Sequence, residues 1–441
     1  MIIALPLVTV KSLDKVGAVS TGNAPAMRNY IIVLALIFLA GSFLRLPPSL
    51  FDASGSLHAL SILHPNPKWH EMQLVGVDEA LYADYVKELG SKGLTHYPDI
   101  VLAYIERQVK LPGSVLPPVR FLYIFAAYLW QSLFHTEVLE SLRNVASFFS
   151  ILTLALSIAL AWRMGGPRWG FGIGALVAFA PTQIHMSQHA LVDGFFTFWA
   201  LLTLFMLWQN LQRPRHWGWL AGYLASFALL VLTKENSFFV WVAIVFILVA
   251  SRWLQYGTVT RELLLATVIG PLLGVVVLVF LAGGVDVLKG TYRLLISKNY
   301  QLPYAIKTGD GPWYRYLIDL MLVSPIILLL AFCTIFRLDR TKKPELFALI
   351  FIAGSYLVMC NLKYGMNLRY TNMWDVPLRV LAFSALIGLV APLQRYRNLA
   401  LIAALAGICA VEMRQYVILF VNYPLYELVS EGLLRALHIL K

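Results

Sequence analysis

The chain has 441 residues, 59% of them hydrophobic and 13% charged, with a formal net charge of +12. Soluble domains carry about 25% charged residues, so this composition excludes an ordinary soluble enzyme and points to an all-α polytopic membrane protein. The basic excess does not require a nucleic-acid partner, because Lys and Arg mark the cytoplasmic loops of membrane proteins.

In chain order, the opening MIIALPLVTV is too short to span and lacks a leading basic region, so it is not expected to act as a secretory signal. A spanning helix needs about 20 mostly apolar residues. Eleven runs qualify: 29–46, 144–162, 169–185, 194–210, 217–233, 237–254, 263–283, 316–336, 345–361, 376–392 and 398–416. The run FLYIFAAYLWQSLF (121–134) is apolar but short, and Pro117 and Pro118 lead into it. Charge decides its place. Suppose it lies on the outer surface and residues 1–28, with Lys11, Lys15 and Arg28, are cytoplasmic. The inside loops then hold Arg163 and Arg168, Arg213 and Arg215, Arg252 and Arg261, the group Arg337, Arg340, Lys342 and Lys343, and Arg395 and Arg397. Every short inside loop is basic, as the positive-inside rule expects. If 121–134 spans instead, every later loop changes sides. The outside loops are then 47–143, 186–193, 234–236, 284–315 and 362–375, and a first loop of that length usually carries function. Cys333, Cys360 and Cys409 sit in apolar runs without paired or metal-ligand spacing and read as small core residues.

The stretch GVDEALYADYVKELG (76–90) gathers Asp78, Glu79, Asp84 and Glu88 just after the first span. Read as a helix, it places Leu81, Tyr82, Tyr85, Val86 and Leu89 on one face and Asp84, Lys87 and Glu88 on the other, so the latter are expected to be solvated. Asp78 reads either as an N-cap or as a chemical group. The topology puts it on the outer side with MSQHALVDGFF (His185, His189, Asp193), TKENS (Lys234, Glu235) and LKYGMNLRYTNMWD (Lys363, Arg369, Tyr370, Asp375), and Arg143 starts the second span from that side. Each has a plainer reading: Arg143 as a headgroup anchor, Lys234 with Glu235 as a surface pair, Lys363 and Arg369 as headgroup binders, Asp375 with Arg379 as a helix pair, and Asp193 as a second N-cap. His185, His189 and Asp193 recur every fourth residue, a weak metal signal without an HExxH context. No GxxxxGK[ST] or GxGxxG is present, so chemistry that uses a nucleotide is not expected.

DEALYADYVKEL on the first external loop resembles the Asp-Glu motif of the GT-C glycosyltransferases, most closely the bacterial relatives of protein O-mannosyltransferases and the lipid A aminoarabinose transferase. Later pieces are similar in the same order: LPPVRFLYIFAAYLW to the His-Pro-Pro segment and surface helix, with Leu116 replacing the His, then LRNVASFFSILTLALSIAL, SQHALVDGFFTFWALL, LTKENSFFV, GPWYRYLIDLM and LRYTNMWDVPLRVLAF. The coverage runs from about residue 30 to residue 392. The resemblance implies a GT-C fold of about eleven transmembrane helices, with amphipathic surface helices on a long first periplasmic loop. It implies a cytoplasmic segment 1–28, a catalytic domain 29–392 containing the external loop 47–143, and a C-terminal span and tail 393–441.

The activity implied is transfer of a sugar from a polyprenyl-phosphate donor to a hydroxyl on a lipid, glycan or protein acceptor. The site would face the exterior of a bacterial inner membrane, among membrane lipids and without nucleic acid. Asp78 is then the candidate base, with Glu79 and Asp193 as further catalytic carboxylates, since a carboxylate near the membrane surface can accept the hydroxyl proton. Arg143, Lys234, Lys363, Arg369 and Tyr370 are the candidate phosphate and donor contacts. Arg369 and Lys363, six residues apart, are expected to close on the phosphate. No cofactor is assigned; Asp78, Glu79 and Asp193 would be the ligands if a divalent metal is used. The competing class is a transporter or lipid flippase, which would be expected to show internal repeats and charges near the bilayer midplane. No clear repeat is seen here, and most charges sit at span ends.

Overall fold

The computed structural model describes residues 24–65, 76–363 and 366–441. The expectations for the opening segment, Lys11 and Lys15 included, lie outside them. Among the described residues the secondary structure is entirely helical. The first long helix is α1 (Ala24–Arg45). The segment after it contributes α2 (Val77–Lys92), α3 (Tyr97–Lys110) and α4 (Phe121–Phe134). There follow α5 (Val138–Gly165), α6 (Pro167–Ala178), α7 (Pro181–Gln188), α8 (Val192–Gln212), α9 (Trp217–Val231), α10 (Ser237–Leu254) and α11 (Arg261–Ala282). A second pair of shorter helices is α12 (Val285–Asn299) and α13 (Pro303–Gly309). The chain closes with α14 (Arg315–Val323), α15 (Pro325–Ile335), α16 (Lys343–Met359), α17 (Asp375–Val390), α18 (Arg397–Tyr416) and α19 (Ser430–Ala436).

The protein is polytopic; among the described residues five stretches are long and apolar enough to cross a membrane by length and composition: Val138–Gly165, Val192–Gln212, Ser237–Leu254, Arg261–Ala282 and the run Leu368–Asn422. Eleven separate runs are expected from hydropathy, and the difference has physical causes. Pro181 and Pro325 lack an amide hydrogen and interrupt the helical ladder, so the expected spans 169–185 and 316–336 are each divided, into α6 with α7 and α14 with α15. Tyr30–Arg45, Trp217–Val231 and Pro325–Ile335 are apolar but shorter. The expected spans 376–392 and 398–416 fall together within Leu368–Asn422.

Both proline breaks are stitched by buried arginines. The Arg45 guanidinium donates to the Val177 and Ala178 carbonyls at 2.7 and 2.9 Å, closing the end of α6. Its Nε donates to Ser150 Oγ at 3.1 Å. Arg379 on α17 pairs with Asp375 at 3.0 Å and with Glu412 of α18 at 2.7 Å, and Glu412 accepts from Ser324 Oγ at the second break. The expected Asp375–Arg379 helix pair is therefore present, and it extends to Glu412.

Helix α4 is 14 residues long, about 21 Å at 1.5 Å per residue, well short of the roughly 30 Å hydrocarbon core. It buries Phe121, Tyr123, Ile124 and Ala127 against α2 and α5, and exposes Leu129, Leu133 and Phe134. Helices α2 and α3 have their own core, in which Tyr82, Tyr85, Val86 and Leu89 of α2 meet Tyr97, Ile100, Val101 and Tyr104 of α3. This core continues into α5 and α8 through Leu142, Val145 and Phe195, so α2 and α3 are clamped to the long helices. A third core wraps the tail: Tyr416, Leu419, Phe420, Leu428 and Leu433 pack on Leu44, Ile184, Met186 and Leu368. Cys360 is buried and Cys409 partly so, but Cys333 is exposed on α15; an apolar run does not distinguish a core face from a lipid face.

Candidate active site

Helix α2 begins two residues earlier than a capping Asp78 would require. Gly76 is the N-cap and its N–H donates to Glu79 Oε2 at 3.3 Å, the reciprocal half of a capping box. Asp78 is thus inside the first helical turn, with its carboxylate free to point away from the helix. Only glycine fits at 76: a Cβ there would lie 2.4 Å from the Tyr426 hydroxyl oxygen. The solvated face is as expected, with Asp84 and Lys87 exposed, while Glu88 pairs with Lys92 at 3.1 Å rather than with Lys87.

The Asp78 Oδ2 accepts from Arg369 Nη2 at 3.1 Å, although the two residues are separated by most of the chain. Arg369 lies on the short helical turn Leu368–Trp374 and is buried. Its Nε is 3.3 Å from Glu427 Oε2, Asn367 Nδ2 donates to the same carboxylate, and Asn367 Oδ1 accepts the Arg369 backbone N–H at 3.0 Å. Among the described residues its Nη1 is buried without a hydrogen-bond partner, an arrangement native structures rarely leave unexplained. Next to it, Lys234 Nζ sits 4.0 Å from the centre of the Tyr370 ring and bonds Asp193 Oδ1 at 2.5 Å, with both residues buried. Asp193 is in the first turn of α8 and its side chain is committed to Lys234 rather than to capping.

Glu79 is buried and ties two elements to α2, the turn between α7 and α8 and the start of α5. Its Oε1 accepts the Ala190 N–H at 2.7 Å and lies 3.5 Å from His189 Nδ1, while Oε2 is 3.3 Å from Arg143 Nη2. Burial alone would raise its carboxyl, but the His189 ring, Arg143 and the Ala190 N–H outweigh that and hold it at about 2. Arg143 is therefore a partner of Glu79 rather than only a headgroup anchor. Lys234 and Glu235 do not pair with each other. Glu235 pairs with Arg120, whose Nη1 donates to Tyr82 Oη at 2.7 Å, placing the segment after the Pro pair against α2.

The structure thus brings Asp78, Arg369, Tyr370, Lys234 and Asp193 into one cluster, with Glu79 and Arg143 beside it on α2 and α5. Lys363 is not part of it: the residue is exposed and among the described residues no hydrogen bond or ion pair joins it to the cluster, whereas Arg369 is buried and already held by two carboxylates. The His185–His189–Asp193 spacing does not make a metal site. Helix α7 ends at Gln188, so the residues do not continue one helical face, His185 faces the Tyr426 carbonyl at 3.2 Å, and among the described residues no three candidate ligands converge.

Sequence reasoning missed the tail. Glu427 and Tyr426 complete the cluster, and the Leu368 N–H donates to the Leu428 carbonyl at 3.1 Å. One signal was available. Glu427 is the only acid between Glu412 and Glu431, flanked by Leu425, Tyr426 and Leu428, and a lone acid in an apolar stretch is costly to bury unless a cation meets it. The sequence does not show what holds the segment 113–118; the Tyr85, Tyr97 and Tyr104 hydroxyls do so by donating to the Leu116, Pro118 and Val115 carbonyls at 2.7, 2.6 and 3.2 Å. Leu116, where the resembled motif has His, contributes a backbone carbonyl here.

A family model described as dolichyl-phosphate-mannose-protein mannosyltransferase matches residues 96–285, less than half of the chain. No curated protein matches in sequence. Among solved structures, ArnT from Cupriavidus metallidurans in the apo state is similar at 16% identity and a TM-score of 0.52, over 93% of this chain and 76% of that one. The same protein bound to undecaprenyl phosphate gives 15% and 0.50, with the same coverages. The archaeal oligosaccharyltransferase AglB from Archaeoglobus fulgidus, in complex with an inhibitory peptide and a dolichol-phosphate, gives 13% and 0.58 over 91% of this chain. The chain spans 56% of that protein's length. At these identities the likeness is one of fold.

Proposed function

We propose that this chain, an integral membrane protein with the GT-C glycosyltransferase fold, moves a sugar from a polyprenyl-phosphate carrier to an acceptor hydroxyl at the outer membrane face. The observation that carries the reading is the pairing of a partly exposed carboxylate, Asp78, with a buried arginine whose Nη1 has no hydrogen-bond partner among the described residues. Two of the similar folds were solved with a polyprenyl phosphate bound, which supports that donor class.

In this reading the acceptor oxygen attacks the anomeric carbon and its proton passes to the Asp78 carboxylate. The sugar–oxygen bond forms as the bond to the phosphate breaks, the electron pair stays on the leaving phosphate, and Arg369 meets the charge that develops there. A single displacement inverts the anomeric centre. In the structure Asp78 is held by Arg369. A phosphate that takes the guanidinium releases Asp78, so donor binding itself exposes the base. Lys234 and Tyr370 form the adjoining wall, and Asp193 keeps the Lys234 ammonium fixed.

The same reading gives eleven crossings, with the proline-broken pairs α6–α7 and α14–α15 each counted as one, and α4 lying on the outer surface. The basic turns Arg163–Arg168, Arg213–Arg215, Arg252–Arg261, Arg337–Lys343 and Arg395–Arg397 are then cytoplasmic by the positive-inside rule, and the cluster, at the opposite ends of these helices, faces the periplasm of a bacterial inner membrane. Residues 29–392 form the catalytic domain, and the tail after 393 lends it Glu427.

The test is incubation of the purified protein with a panel of polyprenyl-phosphate sugars and acceptors, reading released polyprenyl phosphate. Release dependent on protein and acceptor is expected; its absence across the panel defeats the reading. Arg369→Lys is expected to lose about tenfold or more in turnover, the equivalent of one charge-assisted hydrogen bond, because Lys offers a point charge without the planar fork. Lys363→Arg, at an exposed position, should match the wild type. Equal turnover and equal polyprenyl-phosphate binding in Arg369→Lys would remove it from phosphate recognition.

A further inference from the structure

A cleft of about 640 Å³ opens between the end of α2 and the end of α4. Its walls include Lys87, Gly90, Tyr128, Gln131, His135 and Glu137, none of which belongs to the cluster around Asp78. Lys87 and Gly90 follow Asp78 by nine and twelve residues, about 13 and 18 Å along the helix axis at 1.5 Å per residue. At 100° per residue, Lys87 lies on the opposite side of α2 from Asp78.

Two local oddities converge on this cleft. Gly90 stands inside α2, where glycine costs up to about 1 kcal/mol relative to Ala. Crowding does not require it, since a Cβ there would meet only the Tyr128 ring, at an ordinary 3.9 Å. The missing side chain leaves the ring uncovered. His135 ends α4 in the left-handed region at φ 54°, an uncommon conformation for a non-glycine residue, and lines the cleft rather than continuing the helix.

The chemistry selects the occupant. An uncovered aromatic ring flanked by an amide, an imidazole, an ammonium and a carboxylate suits a flat, hydroxyl-rich molecule with apolar C–H faces. Lys87 and Glu137 cancel in charge. The ends of α2 and α4 that meet here are C-terminal, and their partial negative charge disfavours phosphate. The one N-terminal end, that of α5, already carries Glu137 and Glu140. An anionic headgroup is therefore poorly served, although Leu129, Leu133 and Phe134 on the other side of α4 are exposed and place the cleft at the membrane surface.

We infer that this cleft is a binding site for a neutral glycan, separate from the reacting centre. It holds glycan chains at the membrane surface whether or not transfer occurs. The experiment uses the full chain in nanodiscs with neutral gluco-, manno- and galacto-oligosaccharides as probes. Saturation-transfer NMR and calorimetry read the binding. Saturable binding of at least one series is expected. Gly90→Leu, which raises helix propensity and covers the ring, should weaken it at least tenfold without lowering the melting temperature, and Tyr128→Ala should weaken it similarly. Absence of saturable binding in all three series, or undiminished binding in Gly90→Leu, overturns the inference. So does displacement of the probe by glycerophosphoethanolamine at lower concentration than by the free sugar, which would mark a headgroup site. Loss of sugar transfer with binding intact would count against the proposed activity and leave the cleft standing.

Discussion

Transfer by Asp78→Asn is expected to fall at least about a hundredfold, the usual cost of losing a general base, while the protein keeps its fold. The amide cannot take the acceptor proton, but its oxygen still accepts from Arg369, and Arg369 keeps Glu427 as a counter-charge. The carboxylate is partly exposed at the cluster's mouth, so its replacement leaves no buried charge alone. Asp84→Asn and Glu88→Gln are the matched controls. Asp84 is exposed and Glu88 pairs only with Lys92 at the surface, where such pairs contribute little. Turnover under saturating donor, beside a thermal unfolding curve, separates the cases. Near-normal turnover in Asp78→Asn would reduce Asp78 to a tether for Arg369.

Glu79→Ala is expected to act on stability instead, lowering it by about 3–5 kcal/mol, the range for breaking one partner out of a buried ion pair. The substitution strands the Ala190 N–H and takes the buried counter-charge from Arg143 and His189. The lowered carboxyl, which has the same causes, is in line with this. A carboxyl held at about 2 against an ordinary 4.5 corresponds to stabilisation on the order of 3 kcal/mol. The sign follows from the depression: the contribution is complete above pH 4.5 and is lost as pH falls through about 2. Wild-type unfolding measured between pH 7 and pH 5 should show no loss from this joint, and Glu79→Ala should be destabilised equally across that window. A melting temperature unchanged by Glu79→Ala would show that the α2–α5–α8 junction is held by packing alone.

Much of the fold could be read in advance because it depends on period and length. The apolar face of α2 follows from residues 82, 85, 86 and 89, and the limit on α4 follows from its length. Hydropathy windows run through Pro181 and Pro325, because one proline barely changes the mean although it breaks the ladder, so two broken helices read as whole spans. In the site, Asp78, Asp193, Lys234 and Arg369 were visible as isolated charges at span ends on one side. Their partners were not, because pairing is set by packing: adjacent Lys234 and Glu235 point to different helices, and the fourfold spacing of His185, His189 and Asp193 presumes a helix that stops at Gln188. Lys363 shows the reverse error, in which proximity in sequence to Arg369 suggested a shared task that burial of one and exposure of the other does not support.

Arg369 draws its counter-charges from both ends of the chain, Asp78 from one side and Glu427 from the other. This makes the order of synthesis matter. When residues up to 374 have left the ribosome, the arginine has Asp78 but neither Glu427 nor the Leu428 carbonyl that fixes its turn. A guanidinium is costly to bury before its partners arrive, so the nascent bundle gains by leaving this corner open until the segment around 427 is made. The cluster around Arg369 is then the last part of the protein to be completed, and a chain stalled in translation before that segment lacks the Glu427 carboxylate and the Leu428 carbonyl that finish it.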